Sequence, residues 1–137
     1  MSSPVRLVWK VGALLGEGPV WCPDGQALWF VDIKRGRVHR HFPATGACES
    51  FPVGGKPSFI VPSANGGMIV GSESGIYRLA DGKFGEQIAA IAMPAHNRTN
   101  DATVDALGRL WLGTMDDDEM LETGALFCLD RGTLHAM

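Results

Sequence analysis

Short apolar runs alternate with glycine- and proline-rich turns along the whole chain, and three groups of these runs share one arrangement. In each group an apolar pair precedes a turn that ends in glycine, and a second apolar run follows. The turn glycines are Gly25, Gly66 and Gly108, which lie 41 and 42 residues apart. A third strand that opens with glycine follows in each group, and fourth strands are predicted at 48–53 and 84–90. The pattern therefore predicts repeats of four short strands.

A repeat near forty residues with four strands per unit is typical of β-propeller blades, whereas a β-sandwich would not explain the fixed spacing. The predicted fold is all-β, with a single domain at 1–137 whose blades lie near 17–53, 57–92 and 100–137. The fourth strand of the third blade would begin near Thr133. Because a closed propeller takes at least about four blades, we expect the domain to be a truncated part of a larger ring. Its open blade edges would promote self-association.

Two further segments are interpreted separately. Apolar residues alternate through 5–11, which predicts a strand with one buried face. The stretch from Asn97 to Met115 begins polar, so that a polar approach loop is predicted before strands at 102–106 and 109–115. Polar groups at the mouth of a strand, backed by a tight hairpin, are how a rigid scaffold presents a site. An ordinary hairpin with a solvated loop is the alternative.

The repeat also predicts where a site would lie. Eight residues before each turn glycine stand Glu17, Ser58 and Asn100. The first strand of each propeller blade lines the central channel, so these equivalent positions are expected to meet at one channel mouth. Glu17 also lies between two glycines, which permit close approach of the backbone to a ligand.

Composition excludes several classes of function. The net charge of −3 favours neither nucleic acid nor an anionic membrane as a partner. The longest apolar stretch, 88–93, is far too short to span a bilayer, and the first residues lack the apolar core of a signal peptide. Three cysteines without a Cys-x-x-Cys pair favour a reducing cytoplasm. The sequence therefore predicts a cytoplasmic protein.

Two clusters of ligand-type residues are candidate metal sites. His39 and His41 share a face of one strand, but no third ligand is near, so a solvated pair is favoured. The run 116–119 is Asp-Asp-Asp-Glu, and it lacks the glycine and the spacing of an EF-hand. A mobile acidic loop at the channel mouth is the favoured interpretation.

Four motifs together resemble the regucalcin and gluconolactonase family over nearly the whole chain. They are LGEGPVW at 15–21, LWFVDI at 28–33, NRTND at 97–101 and GRLWLGTM at 108–115. The similarity is greatest to bacterial sugar-acid lactonases that act on pentono- or gluconolactones. The resemblance implies a six-bladed propeller with one divalent metal ion in its channel, and hydrolysis of an aldonolactone to its aldonic acid.

The resemblance also implies roles for particular residues. Glu17 would be a metal ligand, and Arg98 and Asn100 would contact the sugar. Asp118 matches a further sugar-binding acidic position by gapless spacing, with Glu119 as the alternative. The remaining metal ligands of the family are an Asn and an Asp in later blades. The Asp also serves as the general base, so no catalytic residue is expected within this chain.

Oxygen donors of this kind favour Ca²⁺, with Zn²⁺, Mn²⁺, Mg²⁺ or Fe²⁺ also accepted. The predicted function is therefore metal-dependent hydrolysis of a sugar lactone, a small-molecule substrate. Two alternatives stay open. The chain could belong to a non-catalytic propeller that binds a metal or a partner, or to a propeller esterase that acts on organophosphate-type esters.

Overall fold

The computed structural model describes residues 2–137, and these form twelve strands in three antiparallel sheets of four strands each. Within every sheet the strands follow one another in chain order. The first sheet contains β1 (Gly16–Cys22), β2 (Ala27–Asp32), β3 (Arg37–Phe42) and β4 (Ala47–Pro52). The second contains β5 (Phe59–Pro62), β6 (Met68–Gly71), β7 (Gly75–Ala80) and β8 (Lys83–Ala90). The third contains β9 (Asn97–Val104), β10 (Leu110–Asp116), β11 (Leu126–Asp130) and β12 (Thr133–Ala136).

The first hairpin of each sheet turns at or beside the glycine that the repeat marks. Gly66 and Gly108 have φ angles of 87° and 79°, which side chains other than hydrogen disfavour. In the turn between β1 and β2 the residue with positive φ is Gln26, at 49°, and not the preceding glycine. The repeat is therefore one of backbone geometry, and the first sheet achieves it with a different residue.

The sheets pack face to face, and β5 is buried on both of its faces. Ile60 belongs to the core between the first and second sheets, whereas Phe59 and Val61 belong to the core between the second and third. Successive side chains of a strand point to opposite faces, so one short apolar run serves both cores. Full burial of each such side chain contributes about 1.5–3 kcal/mol relative to exposure. This stacking of twisted four-stranded sheets confirms the predicted all-β propeller class, with three blades in this chain.

Phe59 also sets the packing beside it. The residue paired with it in β6 is Gly71, and a Cβ atom added there would lie 2.0 Å from Cε1 of the Phe59 ring. The aromatic ring therefore covers the glycine directly, and no larger residue fits at that position without displacing it.

The strand predicted within 5–11 does not form, and residues 2–15 contain no β-strand. Trp9 instead packs edge-on against Phe30 in β2 and His39 in β3, with ring centroids 5.6 and 5.3 Å apart. Trp9 thus contacts side chains on one face of the first sheet, and the backbone of the segment joins no ladder. The predicted buried face is wrong as well, because Val5 and Leu7 are exposed and only Trp9 and Val11 are half-buried. Alternation of apolar residues supplies no pairing partner by itself.

The polar approach loop predicted at 97–101 was also wrong, because β9 already begins at Asn97. Asn97, Arg98 and Thr99 pair across the ladder with the last residues of β10, and all three are buried. Their side chains find partners inside the protein, and for this reason a polar run can occupy a buried strand.

The interpretation of His39 and His41 as a solvated pair was wrong as well. Their exposed fractions are 2% and 9%. Nδ1 of His39 lies 2.8 Å from Oγ of Ser50, and Nδ1 of His41 lies 3.3 Å from Sγ of Cys48, both partners being in β4. Burial lowers the pKa of His39 from its ordinary value. The pair therefore belongs to the packing of the first sheet.

The three cysteines are free thiols. In the described part of the chain, no helix is long and apolar enough to cross a membrane.

Candidate functional site

The first strands of the three sheets lie side by side and form one wall. A cavity of about 330 Å³ is lined by all three of them. Its lining comprises residues 18–20 of β1, 59–62 of β5 and 101–104 of β9. This is the arrangement in which the first strands of propeller blades face a central channel.

At one end of this wall the starts of the strands form what we call the channel mouth, comprising Glu17, Ser58 and residues 97–100. A Cβ atom added to Gly18 would lie 3.8 Å from the carbonyl oxygen of Ser58, so β1 runs close to β5 here. Oγ of Ser58 is hydrogen-bonded to Oγ1 of Thr99, which in turn donates to the carbonyl of Ser72 at 3.0 Å. A chain of contacts thus runs from β1 through β5 to β9.

Glu17 is exposed at the mouth. A β-bulge lies between Glu17 and Val20, and bulges next to the end of a strand change the direction of nearby side chains. The residues before it are held by Asp32, whose carboxylate accepts hydrogen bonds from the N–H groups of Leu14 and Leu15 at 3.0 and 3.1 Å. The approach to Glu17 is therefore tied to the end of β2.

As a metal ligand, Glu17 fits only in part. Its carboxylate is a hard oxygen donor of the kind that Ca²⁺ prefers, but Ca²⁺ takes about 6–8 such donors. Within residues 2–137, no group of three or more His, Cys, Asp or Glu side chains is arranged to hold a metal ion. The chain supplies one candidate ligand, and a metal site would need its other protein ligands from elsewhere.

Arg98 has only 2% of its side chain exposed, although it is charged. Its Nε donates to Oδ1 of Asp117 at 2.7 Å. Its Nη1 donates to the carbonyl of Thr99 at 3.1 Å and to Oδ1 of the exposed Asn100 at 3.3 Å. Among residues 2–137, no acceptor is hydrogen-bonded to Nη2, so its two N–H groups have no protein partner there. The structure therefore brings Arg98 and Asn100 together, whereas Glu17 lies on β1, where its neighbour Gly18 runs close to Ser58.

Asp117 is the main member of the site that the sequence analysis did not identify individually. It accepts hydrogen bonds from three cations: Lys34 Nζ at 2.8 Å, Lys56 Nζ at 2.6 Å and Arg98 Nε at 2.7 Å. Burial raises the pKa of Asp117, but the hydrogen bonds from the three cations outweigh it and hold the pKa well below its usual range. The carboxylate is therefore ionised and linked to all three sheets.

The other acidic residues of 116–119 differ in their surroundings. Asp116 is buried and accepts hydrogen bonds from the N–H groups of Met120 and Leu121, each at 3.0 Å. The hydrogen bond from Met120 is the main cause that lowers the pKa of Asp116, against the opposing effect of burial. Asp118 and Glu119 are exposed. The prediction of one mobile acidic loop is therefore wrong for Asp116 and Asp117, whereas sugar binding by Asp118 or Glu119 stays a prediction.

A signal for part of this arrangement was present in the repeat. An acidic residue ends or follows the second strand of every sheet: Asp32, Glu73 and Asp116. Each accepts hydrogen bonds from backbone N–H groups, as Glu73 does from Lys56 at 2.7 Å. Comparison of equivalent positions would have found these three. Asp117 has no such signal, because its partners lie 83, 61 and 19 residues away along the chain.

The sequence and the fold are similar to those of one family of known proteins. The sequence profile described as the SMP-30/Gluconolactonase/LRE-like region matches residues 15–137. The chain is 36% identical over 132 residues to a 6-deoxy-6-sulfogluconolactonase of Pseudomonas putida, and 37% identical over 117 residues to a pentonolactonase of Haloferax volcanii. These alignments cover 95% and 85% of this chain but 45% and 39% of the relatives. The chain thus spans less than half the length of the relatives it matches.

A solved structure agrees in fold. The structure described as a calcium-binding protein, regucalcin, from Agrobacterium tumefaciens superposes with a TM-score of 0.86 at 23% sequence identity. The superposition covers 96% of this chain and 45% of that chain. At this level of identity the likeness concerns the backbone architecture.

Proposed function

The chain belongs to the SMP-30/gluconolactonase/LRE-like family, and from that premise we propose that it forms part of a propeller lactonase. The substrate is a sugar lactone of gluconolactone or pentonolactone type, which is hydrolysed to the aldonic acid. One observation carries the proposal: two lactonases named for different sugar lactones are each more than a third identical to this chain over most of its length. We propose the activity for the complete propeller, with its remaining blades supplied from outside residues 1–137.

Arg98 and Asn100 are the proposed substrate-binding pair. The guanidinium of Arg98 holds its N–H donors in one plane, and the N–H groups of Nη2, which have no acceptor in the described residues, suit the ring and hydroxyl oxygens of a sugar. The amide of Asn100, whose Oδ1 lies 3.3 Å from Nη1 of Arg98, can both donate to and accept from hydroxyl groups. Asp118, with Glu119 as the alternative, would accept hydrogen bonds from further hydroxyls. A preformed pair of this kind orients the lactone ring for attack by water.

Glu17 is the proposed metal ligand of this chain, with Ca²⁺ as the favoured ion and Zn²⁺, Mn²⁺, Mg²⁺ or Fe²⁺ as alternatives. A divalent ion, when bound, supplies Lewis-acid stabilisation of the negative charge that develops on the lactone carbonyl oxygen. We assign no general base within this chain. A carboxylate beyond Met137 is proposed to take the proton from the attacking water.

Three substitutions in the complete propeller test this division of roles. We expect Glu17→Gln to abolish metal binding in a calorimetric titration while the far-ultraviolet circular dichroism spectrum stays unchanged. Arg98→Ala and Asn100→Ala should lower the rate of lactone hydrolysis and leave the metal affinity nearly intact. Unchanged metal affinity of Glu17→Gln removes Glu17 from the site. Loss of metal binding in Arg98→Ala with normal substrate affinity refutes its assignment to the sugar.

A second function has one observation in its favour, because the structural relative from Agrobacterium tumefaciens is described as a calcium-binding protein. A propeller that binds Ca²⁺ without catalysis would show metal binding in calorimetry and no opening of gluconolactone or a pentonolactone. No observation favours a propeller esterase that acts on organophosphate-type esters. Assays of all three substrate classes on one preparation separate these possibilities.

A further inference from the structure

We propose that Asp117 positions Arg98 for substrate binding, and that Lys34 and Lys56 contribute to the same task through the Asp117 carboxylate. This inference rests on the proposed lactonase function, in which Arg98 contacts the sugar. Asp117 is a positioning residue in this scheme, because it acts on the arginine side chain and does not itself contact the lactone.

The hydrogen bonds of Arg98 leave one of its nitrogens, Nη2, without an acceptor among residues 2–137. A guanidinium carries five N–H groups in one plane. The Nε–H group is bound by Asp117, and Nη1 is bound by the carbonyl of Thr99 and the side chain of Asn100. Two of the three nitrogens are thus anchored, which fixes the plane and directs Nη2 as the remaining donor. Of these anchors only Asp117 carries a negative charge, and charge-assisted hydrogen bonds are roughly twice as strong as neutral ones.

The carboxylate of Asp117 is itself held from several sides. The backbone N–H group of Asp117 donates to the carbonyl of His96 at 2.9 Å, which fixes the backbone at this residue. Lys34 shares Oδ1 with Arg98, and Lys56 occupies Oδ2, so both oxygens have cationic partners. Lys34 follows β2 in the first sheet, and Lys56 precedes β5 in the second. The orientation of Arg98, the proposed substrate-binding residue of the third sheet, therefore depends on both other sheets.

The three cations that bind Asp117 differ in how deeply their side chains are buried, and their contributions are expected to differ accordingly. The side chains of Lys34 and Lys56 are 38% and 41% exposed, whereas those of Arg98 and Asp117 are 2% and 12% exposed. Exposed ion pairs contribute little individually. We therefore expect the pair between Arg98 and Asp117 to dominate the effect, with each lysine making a smaller correction.

The decisive experiment is a double-mutant cycle in the complete propeller, with kcat and KM measured for gluconolactone and a pentonolactone. Asp117→Asn keeps the shape of the side chain but removes its charge. We expect it to lower kcat/KM about 10- to 100-fold, mainly through KM, since a misplaced binding group loses affinity. In the Arg98→Ala background the same substitution should change kcat/KM no further.

The matched control is Asp105→Asn in the same sheet. Its carboxylate is hydrogen-bonded within its own hairpin, by Arg109 and Trp111 among others, and lies away from the channel mouth. We expect this variant to keep the wild-type KM. A purely structural effect of losing a hydrogen-bonded carboxylate would appear in both variants, whereas a positioning effect appears only in Asp117→Asn.

The inference is overturned if Asp117→Asn leaves KM unchanged, or if it lowers kcat/KM equally in the presence and absence of Arg98. If Asp117→Asn does not fold, Lys34→Met replaces it, with an expected rise in KM of about two- to five-fold that disappears in the Arg98→Ala background. An unchanged KM in Lys34→Met then overturns the inference. A wild-type propeller that opens no lactone refutes the proposed function, and the inference with it. An active wild type with an insensitive Asp117→Asn variant refutes the inference alone.

Discussion

Asp105 and Asp117 lie at opposite ends of the hairpin formed by β9 and β10, and their partners differ in kind. Asp105 accepts hydrogen bonds from Leu107, Arg109 and Trp111, which are two, four and six residues away. Asp117 binds cations that lie 19, 61 and 83 residues away. The hairpin end of the sheet is thus stabilised by its own sequence, whereas the channel mouth is stabilised by contacts between sheets.

The same contrast appears in the electrostatics. The hydrogen bond from Trp111 is the main cause that holds the pKa of Asp105 well below its usual range, against the opposing effect of burial. For Asp117 burial is the larger single influence and acts to raise the pKa, and several cations together reverse it. A negative charge is therefore kept in both places, but only at the mouth does it hold side chains of different sheets in position.

Acidification should reduce the free energy of unfolding most, because it removes the negative charge at both ends of the β9–β10 hairpin. The pKa values of Asp105, Asp116 and Asp117 are all lowered by folding. Their stabilising contribution is therefore complete above the unfolded-state pKa of about 3.9, and it is lost as the pH falls below that value. Urea titrations at a series of pH values should show the free energy of unfolding decreasing from about pH 4 downward. A free energy of unfolding that stays constant below about pH 4 contradicts a stabilising role of these three carboxylates.

Asp117→Asn should have the next largest effect on the free energy of unfolding. It leaves the buried guanidinium of Arg98 without its charged partner, and loss of one member of a buried pair costs about 3 kcal/mol. Urea unfolding at neutral pH measures this loss directly. The variant should also show a weaker dependence of stability on pH than the wild type. An equally steep dependence would mean that Asp117 is not a source of the acid sensitivity.

Asp105→Asn should have the smallest effect of the three, because its partners are local and solvent reaches them. We expect faster hydrogen exchange at the amides of Leu107 and Arg109, with little change at Arg98 or Thr99. Nuclear magnetic resonance of the labelled protein resolves these positions separately. If this variant destabilises the protein more than Asp117→Asn does, the contrast between the two ends of the hairpin is wrong.

The same contrast explains what could be predicted from the sequence. The four-stranded repeat follows from turn glycines and apolar runs, which are local signals, and the proximity of Arg98 and Asn100 follows from their spacing of two. The polar residues Asn97 to Thr99 predict a loop where the structure has the buried start of β9, because their partners cannot be inferred from neighbouring residues. Asp117 carries no individual signal within its acidic run for the same reason: two of its three cationic partners, Lys34 and Lys56, come from other sheets.

The burial of β5 on both faces has a consequence for which changes in length the chain can accept. An extra residue in a surface turn, such as 43–46 between β3 and β4, adds to a loop without altering the ladders on either side. An extra residue directly before Phe59, at the start of β5, reverses the face of every side chain after it. Ile60 would then enter the core that Phe59 now occupies, and Gly71 would lose the ring that covers it. We therefore expect insertions and deletions to be tolerated in the turns but not in these four residues, which fix the register of both cores.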